Sequence, residues 1–154
     1  MLRRIIVFVV AAALMVVAGS ASHSYFVQRA WSSAAAMAGG GTAVSIPFGD
    51  RITWAAHDLI GMIVGYSALT SIALLVAFLI AGALARFSGA RTLVFGIAGA
   101  AAIFTLFSIL RMVLGTVGIF GARGAAGLAG QMLVGFLAGL LFAQLTPPRK
   151  AARR

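Results

Sequence analysis

Four long apolar runs, separated by short polar stretches, account for most of this chain. The first, IIVFVVAAALMVVAG, follows MLRR. Basic residues, an apolar run and small residues near Ala21 and Ser22 have the form of a signal peptide. The expectation is that the segment is kept as a first helix over about residues 5–31. Its apolar part spans about 26 Å at about 1.5 Å per residue, just short of a bilayer core of about 30 Å. The helix therefore continues through His23, Tyr25 and Phe26 towards Trp31. Residues 32–50 change character, since Gly39-Gly40-Gly41 ends a helix and Pro47 with Gly49 marks a turn. They predict one long extracytoplasmic loop.

Asp50 or Thr53 is a suitable cap for a second helix over about 52–85. Its stretch from Leu59 to Leu84 measures about 39 Å, longer than the hydrocarbon thickness, so the helix tilts or projects. Arg86 and Arg91 bracket a short turn before a third helix over about 92–114. The stretch GTVGIFGARGAAGLAG then places glycine at 115, 118, 121, 124, 127 and 130. Steps of three drift around a helix by about 60°, so one face cannot carry all six and the first part is a connection. A fourth helix covers about 125–145, and Pro147-Pro148 stops it.

Two pairs of segments resemble each other. Arg4-Ile-Ile-Val-Phe-Val-Val-Ala-Ala-Ala is similar to Arg91-Thr-Leu-Val-Phe-Gly-Ile-Ala-Gly-Ala, and Met62-Ile-Val-Gly-Tyr-Ser-Ala to Met132-Leu-Val-Gly-Phe-Leu-Ala. An internal duplication would give two hairpins related by an axis along the membrane normal. Chance matching among Ala, Val and Gly explains the pattern as well.

Composition sharpens the class. The 154 residues are 62% hydrophobic and 9% charged, against about 25% charged in ordinary soluble domains, so the solvent must be lipid. A formal charge of +10 would suit nucleic acid. The placement of the charges argues against that reading. Arg3, Arg4, Arg86, Arg91, Arg149, Lys150, Arg153 and Arg154 flank apolar runs as topology signals, whereas Arg29, Arg51 and Arg123 stand singly. The expected fold is an all-α polytopic membrane protein, one transmembrane domain over 1–154 with four helices in two hairpins and both termini inside. Arginine outnumbers lysine eleven to one, and with abundant Ala and Gly this reads as a GC-rich bacterial genome, hence a bacterial inner membrane. Tyr25, Trp31 and Trp54 are expected as interface anchors. No cysteine is present, which removes disulfides and thiolate ligands.

Candidate chemistry is sparse. His57-Asp58 is the one place where a base and an acid adjoin. Sequence neighbours point about 100° apart on a helix, and His57 stands about 43 Å along a straight helix from Arg86, near the outer interface. Arg111, about 30 Å beyond Arg91, either snorkels or pairs with Asp58. Gln131 is the further member of an expected polar cluster of His57, Asp58, Arg111 and Gln131. A haem held by His23 and His57 would need both rings at one depth, yet His23 lies only about 28 Å above Arg4. Gly61xxxGly65 and Gly135xxxGly139 are small-xxx-small packing motifs. No nucleophile triad, phosphate loop, HExxH or paired carboxylates occur.

Three function classes follow. The chain is first a non-catalytic accessory or assembly subunit of a larger membrane complex of respiratory or photosynthetic type. The others are a small oligomeric channel or transporter using His57, Asp58 and Arg111, and a haem- or quinone-binding protein. Bound lipid, other membrane subunits or further copies of itself are the expected partners. No metal, enzymatic activity or nucleic acid is expected.

Overall fold

A computed structural model describes residues 1–39, 41, 44–115 and 119–147. It is all-helical, with α1 (Leu2–Ala38), α2 (Phe48–Leu84), α3 (Arg91–Leu114) and α4 (Ala125–Leu145), plus a short 3-10 turn at Phe120–Ala122. Each of the four α-helices is long and apolar enough to cross a membrane, which is consistent with a multi-pass membrane protein.

The first two helices outrun the expectation. Their connection was expected over 32–50, but α1 continues to Ala38 and α2 begins at Phe48. Ser-Ser-Ala-Ala-Ala-Met-Ala favours helix, and among the described residues the backbone turns at Gly39 and at Gly41, whose φ of 98° suits glycine. Neither Asp50 nor Thr53 caps α2; Pro47 is the N-cap, without a side-chain cap hydrogen bond. Asp50 falls in the first turn, where its charge complements the helix dipole. Thr53 donates instead to the Gly49 carbonyl. α1 also starts earlier than expected, at Leu2 rather than near Ile5, and the remaining boundaries match to within a residue. The RKAARR tail and Pro148 lie outside the described residues.

Contacts along neighbouring helices run antiparallel. On α1 and α2, Phe8 meets Phe78, Ser24 meets Asp58 and Trp31 meets Trp54. On α3 and α4, Gly99 meets Gly135, Phe95 meets Gly139 and Arg91 reaches Ala143. Each helix packs on its two chain neighbours, and α1 closes the ring on α4. With 37 residues each, α1 and α2 are about 55 Å long, against about 36 Å and 32 Å for α3 and α4. The pair extends past the other two at the end where Trp31 and Trp54 stand edge to face, 5.6 Å apart. We call this the tryptophan end, and the end with Arg4 and Arg91 the arginine end.

The interior combines small residues and phenylalanine with Met15, Leu74 and Ile103. One Phe from each helix meets in the arginine half. Phe78 stacks on Phe142 at 4.8 Å, with Phe95 at 5.7 Å and 5.3 Å from them and Phe8 at 6.3 Å from Phe78. Such offset and edge-on contacts add about 0.5–1.5 kcal/mol each beyond area burial. Large apolar side chains such as Ile63, Val64, Ile72 and Leu79 point outward. Gly99, Gly135 and Gly139 bring the α3 and α4 backbones into close contact. Gly135xxxGly139 thus packs on α3, not α2. Gly61 and Gly65 face open space, so the segments that resemble each other in sequence sit in different surroundings.

A Cβ on Gly99 would strike the Gly135 carbonyl, whereas one on Gly61 meets nothing within 4 Å. Overpacking costs about 1–3 kcal/mol. Gly99→Val should lower the thermal midpoint in detergent clearly, and Gly61→Val should leave it nearly unchanged. Equal midpoints would contradict the α3–α4 contact.

Candidate functional site

The polar side chains of the interior gather on a short length of α1. Gly19, Ser20, His23 and Ser24 rise over only about 8 Å of helix. Each meets a different part of the bundle, because successive positions turn by about 100°.

Gln131 of α4 forms the deepest node. It has no exposed surface. Its Nε2 donates to the Gly19 carbonyl at 2.8 Å, and its Oε1 accepts from the Tyr66 hydroxyl at 2.6 Å. Three helices are joined by one amide. A side chain on Gly19 would collide with the Tyr66 hydroxyl, so the glycine is required by this bond. Just beside it, buried Ser20 has no hydrogen-bond partner for its hydroxyl among the described residues.

One turn further, Ser24 donates to the Asp58 carboxylate of α2. Ser24 is buried and Asp58 half-buried. Asp58 stands at the head of the inward stripe of α2, followed by Met62, Tyr66, Thr70, Leu74, Phe78 and Ala81 at helical spacing. His57, next in sequence, is exposed. Within the stripe, Thr70 folds its hydroxyl back onto the Tyr66 carbonyl at 2.6 Å.

The third node ties down the connection between α3 and α4. Gly115 ends α3 with φ 68°, the left-handed conformation that favours glycine at a helix end. The backbone N–H of Gly121 then donates to His23 Nδ1 at 3.1 Å. A Cβ at Gly121 would lie 2.8 Å from His23 Cα. This stretch is therefore docked on α1 rather than a free connection. Thr116, Val117 and Gly118 fall outside the described residues.

The expected cluster of His57, Asp58, Arg111 and Gln131 is not assembled. Asp58 turns to α1, Gln131 joins Gly19 and Tyr66, and His57 is exposed. Arg111 is exposed in the last turn of α3 and makes no ion pair or hydrogen bond among the described residues. Two forces place it there: its long stem lets the charge reach the surface, and cations favour helix C-termini. Of the expected anchors, Trp31 and Trp54 pair with each other, while Tyr25 is exposed beside Phe26 and Arg29. Of the residues considered for haem, His23 has Nδ1 engaged by Gly121, and His57 points outward.

What the site can do chemically follows from the order of its bonds. Nucleophilic catalysis by serine places an imidazole between the hydroxyl and the carboxylate. Here Ser24 bonds Asp58 directly, and His23 spends Nδ1 on a backbone amide. No group of three His, Asp or Glu side chains suited to a metal occurs among the described residues. Two surface clefts lie at the tryptophan end; one of about 240 Å³ is lined by Gln28, Arg29, Ser32, Ile46 and Arg51 among others. They do not reach Asp58 or Gln131. The arrangement holds helices in register. Sequence reasoning missed Gly19, Ser24 and Tyr66; the signal was their place on the small and polar stripe of each helix.

A double-mutant cycle checks the assignment. Ser24→Ala and Asp58→Asn should couple by about 0.5–2 kcal/mol, the range of hydrogen bonds between membrane helices. Asp58→Asn and Arg111→Gln should add independently. Measured unfolding in mixed micelles that gave coupling only for the second pair would restore the single cluster.

Comparison of the chain with protein-family models, with curated proteins and with solved structures finds no match.

Proposed function

We propose that this chain is a non-catalytic subunit of a larger membrane assembly, respiratory or photosynthetic in type, and that it works through contact between helix faces. The observation that carries the reading is the position of Gly61 and Gly65. Both lie on the exposed side of α2 with no neighbouring atom within 4 Å of an added Cβ. The equivalent motif at Gly135 and Gly139 is consumed inside the bundle. Where no hydrophobic drive acts between helices in lipid, small residues permit the close backbone approach that supplies packing energy. The buried polar groups support a structural role, since the hydroxyls of Tyr66 and Ser24 and the amide of Gln131 are spent on partners within the chain.

The reading includes a place and an orientation. Arg3, Arg4, Arg86 and Arg91 gather at one end, and Arg29, Arg51, Arg111 and Arg123 are scattered elsewhere. The excess of positive charge on cytoplasmic segments favours a bacterial inner membrane with both termini inside and the chain arranged as two hairpins. A reporter fused after Arg154 should be active in the cytoplasm only; periplasmic activity would reverse the orientation.

For function, Gly61→Leu and Gly65→Leu should dissociate the assembly on a native gel while leaving the isolated chain as stable as the wild type. Loss of assembly through a close contact of this kind is expected to be at least about tenfold, the equivalent of about 1.4 kcal/mol. His57→Ala should leave the assembly intact. Ion or solute flux by the purified chain in liposomes, abolished by Asp58→Asn, would replace this reading with that of a small channel or transporter.

A further inference from the structure

The two ends of the bundle differ in charge. Both carboxylate side chains of the chain, Asp50 and Asp58, belong to the half that leads to the tryptophan end. The arginine end carries Arg3, Arg4, Arg86 and Arg91, with no acidic side chain among the described residues there.

These four arginines are not equivalent. Arg91 is half-buried and mostly committed. One guanidinium nitrogen donates to the Ala143 carbonyl, another to Thr146 Oγ1 at 2.6 Å, and the group lies 5.2 Å from the centre of the Phe95 ring. It thereby caps the C-terminus of α4, where a cation is favoured. Arg4 is also half-buried and stands close enough for its charge to act unfavourably on Arg91. The side chains of Arg3, Arg4 and Arg86 make no hydrogen bond or ion pair among the described residues. Two helices also begin at this end. Neither α1 nor α3 has an acidic residue in its first turn or a side-chain cap, so the positive ends of both helix dipoles add to the guanidinium charges. Like charges held together at the edge of an apolar bundle, without an acid, leave an anion as the missing partner.

We propose that the arginine end binds the phosphate of an anionic phospholipid, with Arg4 and the unspent N–H groups of Arg91 at its centre and Arg3 and Arg86 at its rim. The inference rests on the membrane-spanning part of the functional reading and is independent of the subunit part. The planar guanidinium fork matches phosphate oxygens two at a time, which an ammonium cannot do. Four helices with apolar outer faces bring this end to headgroup level, where the acyl chains would lie along exposed Ile5, Ile6 and Leu93. The lipid is held by charge at one end and by dispersion along its tails, so a free anion gains only the first.

The test uses the full chain in lipid nanodiscs and in mild detergent. Titration with phosphatidylglycerol against phosphatidylcholine of the same acyl chains, followed by native mass spectrometry, reads the preference for the anionic headgroup. Arg4→Gln should lower that preference about fivefold, the effect of one basic residue near an anionic surface. Adding Arg86→Gln should lower it further, Arg4→Lys, which keeps the charge but loses the fork, should lower it less than Arg4→Gln does, and Arg111→Gln at the other end should not alter it. Arg91 is left in place because its loss would uncap α4. An unchanged preference in the Arg4→Gln, Arg86→Gln double variant would overturn the proposal. So would displacement of the lipid by inorganic phosphate at equal concentration, which would make this a free-anion site. A wild-type chain that failed to enter nanodiscs would strike the membrane reading itself, whereas entry without headgroup selectivity would strike this inference alone.

Discussion

A glutamine amide with no exposed surface is the constraint around which the bundle is arranged. Left unpaired in an apolar medium, such a group costs several kcal/mol, about 4–8 on the harshest scale. Gln131 avoids that by donating to α1 and accepting from α2. The carbonyl of Gly19 can take the extra bond because a backbone oxygen has two lone pairs, one already used within α1. The geometry then dictates other residues. Position 19 must lack a side chain, and Tyr66 must face inward, which fixes the rotation of α2 about its axis. Once α2 is so rotated, Asp58 and Thr70, about three turns apart from each other on the Tyr66 stripe, also face inward. Ser24 on α1 meets the first and the Tyr66 carbonyl meets the second.

The fourth helix to join, α3, uses other physics. It contributes no polar side chain to the interior nodes. It is held by the near contact of its backbone with α4 at Gly99, Gly135 and Gly139 and by Phe95 in the four-phenylalanine cluster. The bundle is therefore divided along its length. The arginine half is apolar and aromatic, closed by Arg91 across the end of α4. The half towards the tryptophan end is polar inside and is closed by the docking of Gly121 on His23. Hydrogen bonds fix registration and rotation on one side, and shape fixes spacing on the other.

Much of this was legible in the sequence as far as the lengths and limits of the helices are concerned. Apolar runs bounded by arginine, glycine and proline located four helices to within a few residues. The exception was 32–50, where the helix-favouring Ala and Met before three consecutive glycines carry α1 on to Ala38. The interior was harder to read. In a soluble protein the large apolar residues mark the inward face. Here most of them face outward, and the inward stripes, beside Met15, Leu74 and Phe78, hold Gly19, Ser20 and Ser24 on α1 and Asp58, Tyr66 and Thr70 on α2. For Arg111 the expectation left two outcomes, snorkelling to the surface or pairing with Asp58, and opposite charge did not decide between them. A hydroxyl on the facing helix satisfied the carboxylate instead, while the long arginine side chain had an escape to the surface that aspartate lacked.

The two small-residue motifs show how far a local pattern can carry an argument. Gly61xxxGly65 and Gly135xxxGly139 share spacing and a similar sequence, so nothing local separates them. Their fates are decided by the rotation of the helix that carries each. The Gln131 amide turns Tyr66 inward, and Gly65, one residue earlier, is thereby turned about 100° away. On α4 the same amide turns Gln131 towards α1 and α2, and Gly135, four residues later, stays close to that face, where α3 can reach it. A single buried hydrogen-bonded group thus assigns one motif to the interior and leaves the other on the surface. The surface motif is the part of α2 where a second helix could come closest, because a Cβ-free groove offers dispersion and Cα–H···O contacts that a ridge of Ile and Leu excludes. Any partner seated there would contact a helix whose rotation is already fixed from within, and it would lose little freedom of α2 on binding. That pre-set rotation makes a glycine face on the outside of α2 suited to specific assembly, and the same reasoning predicts that loosening Gln131 would blur the outer surface as well as the core.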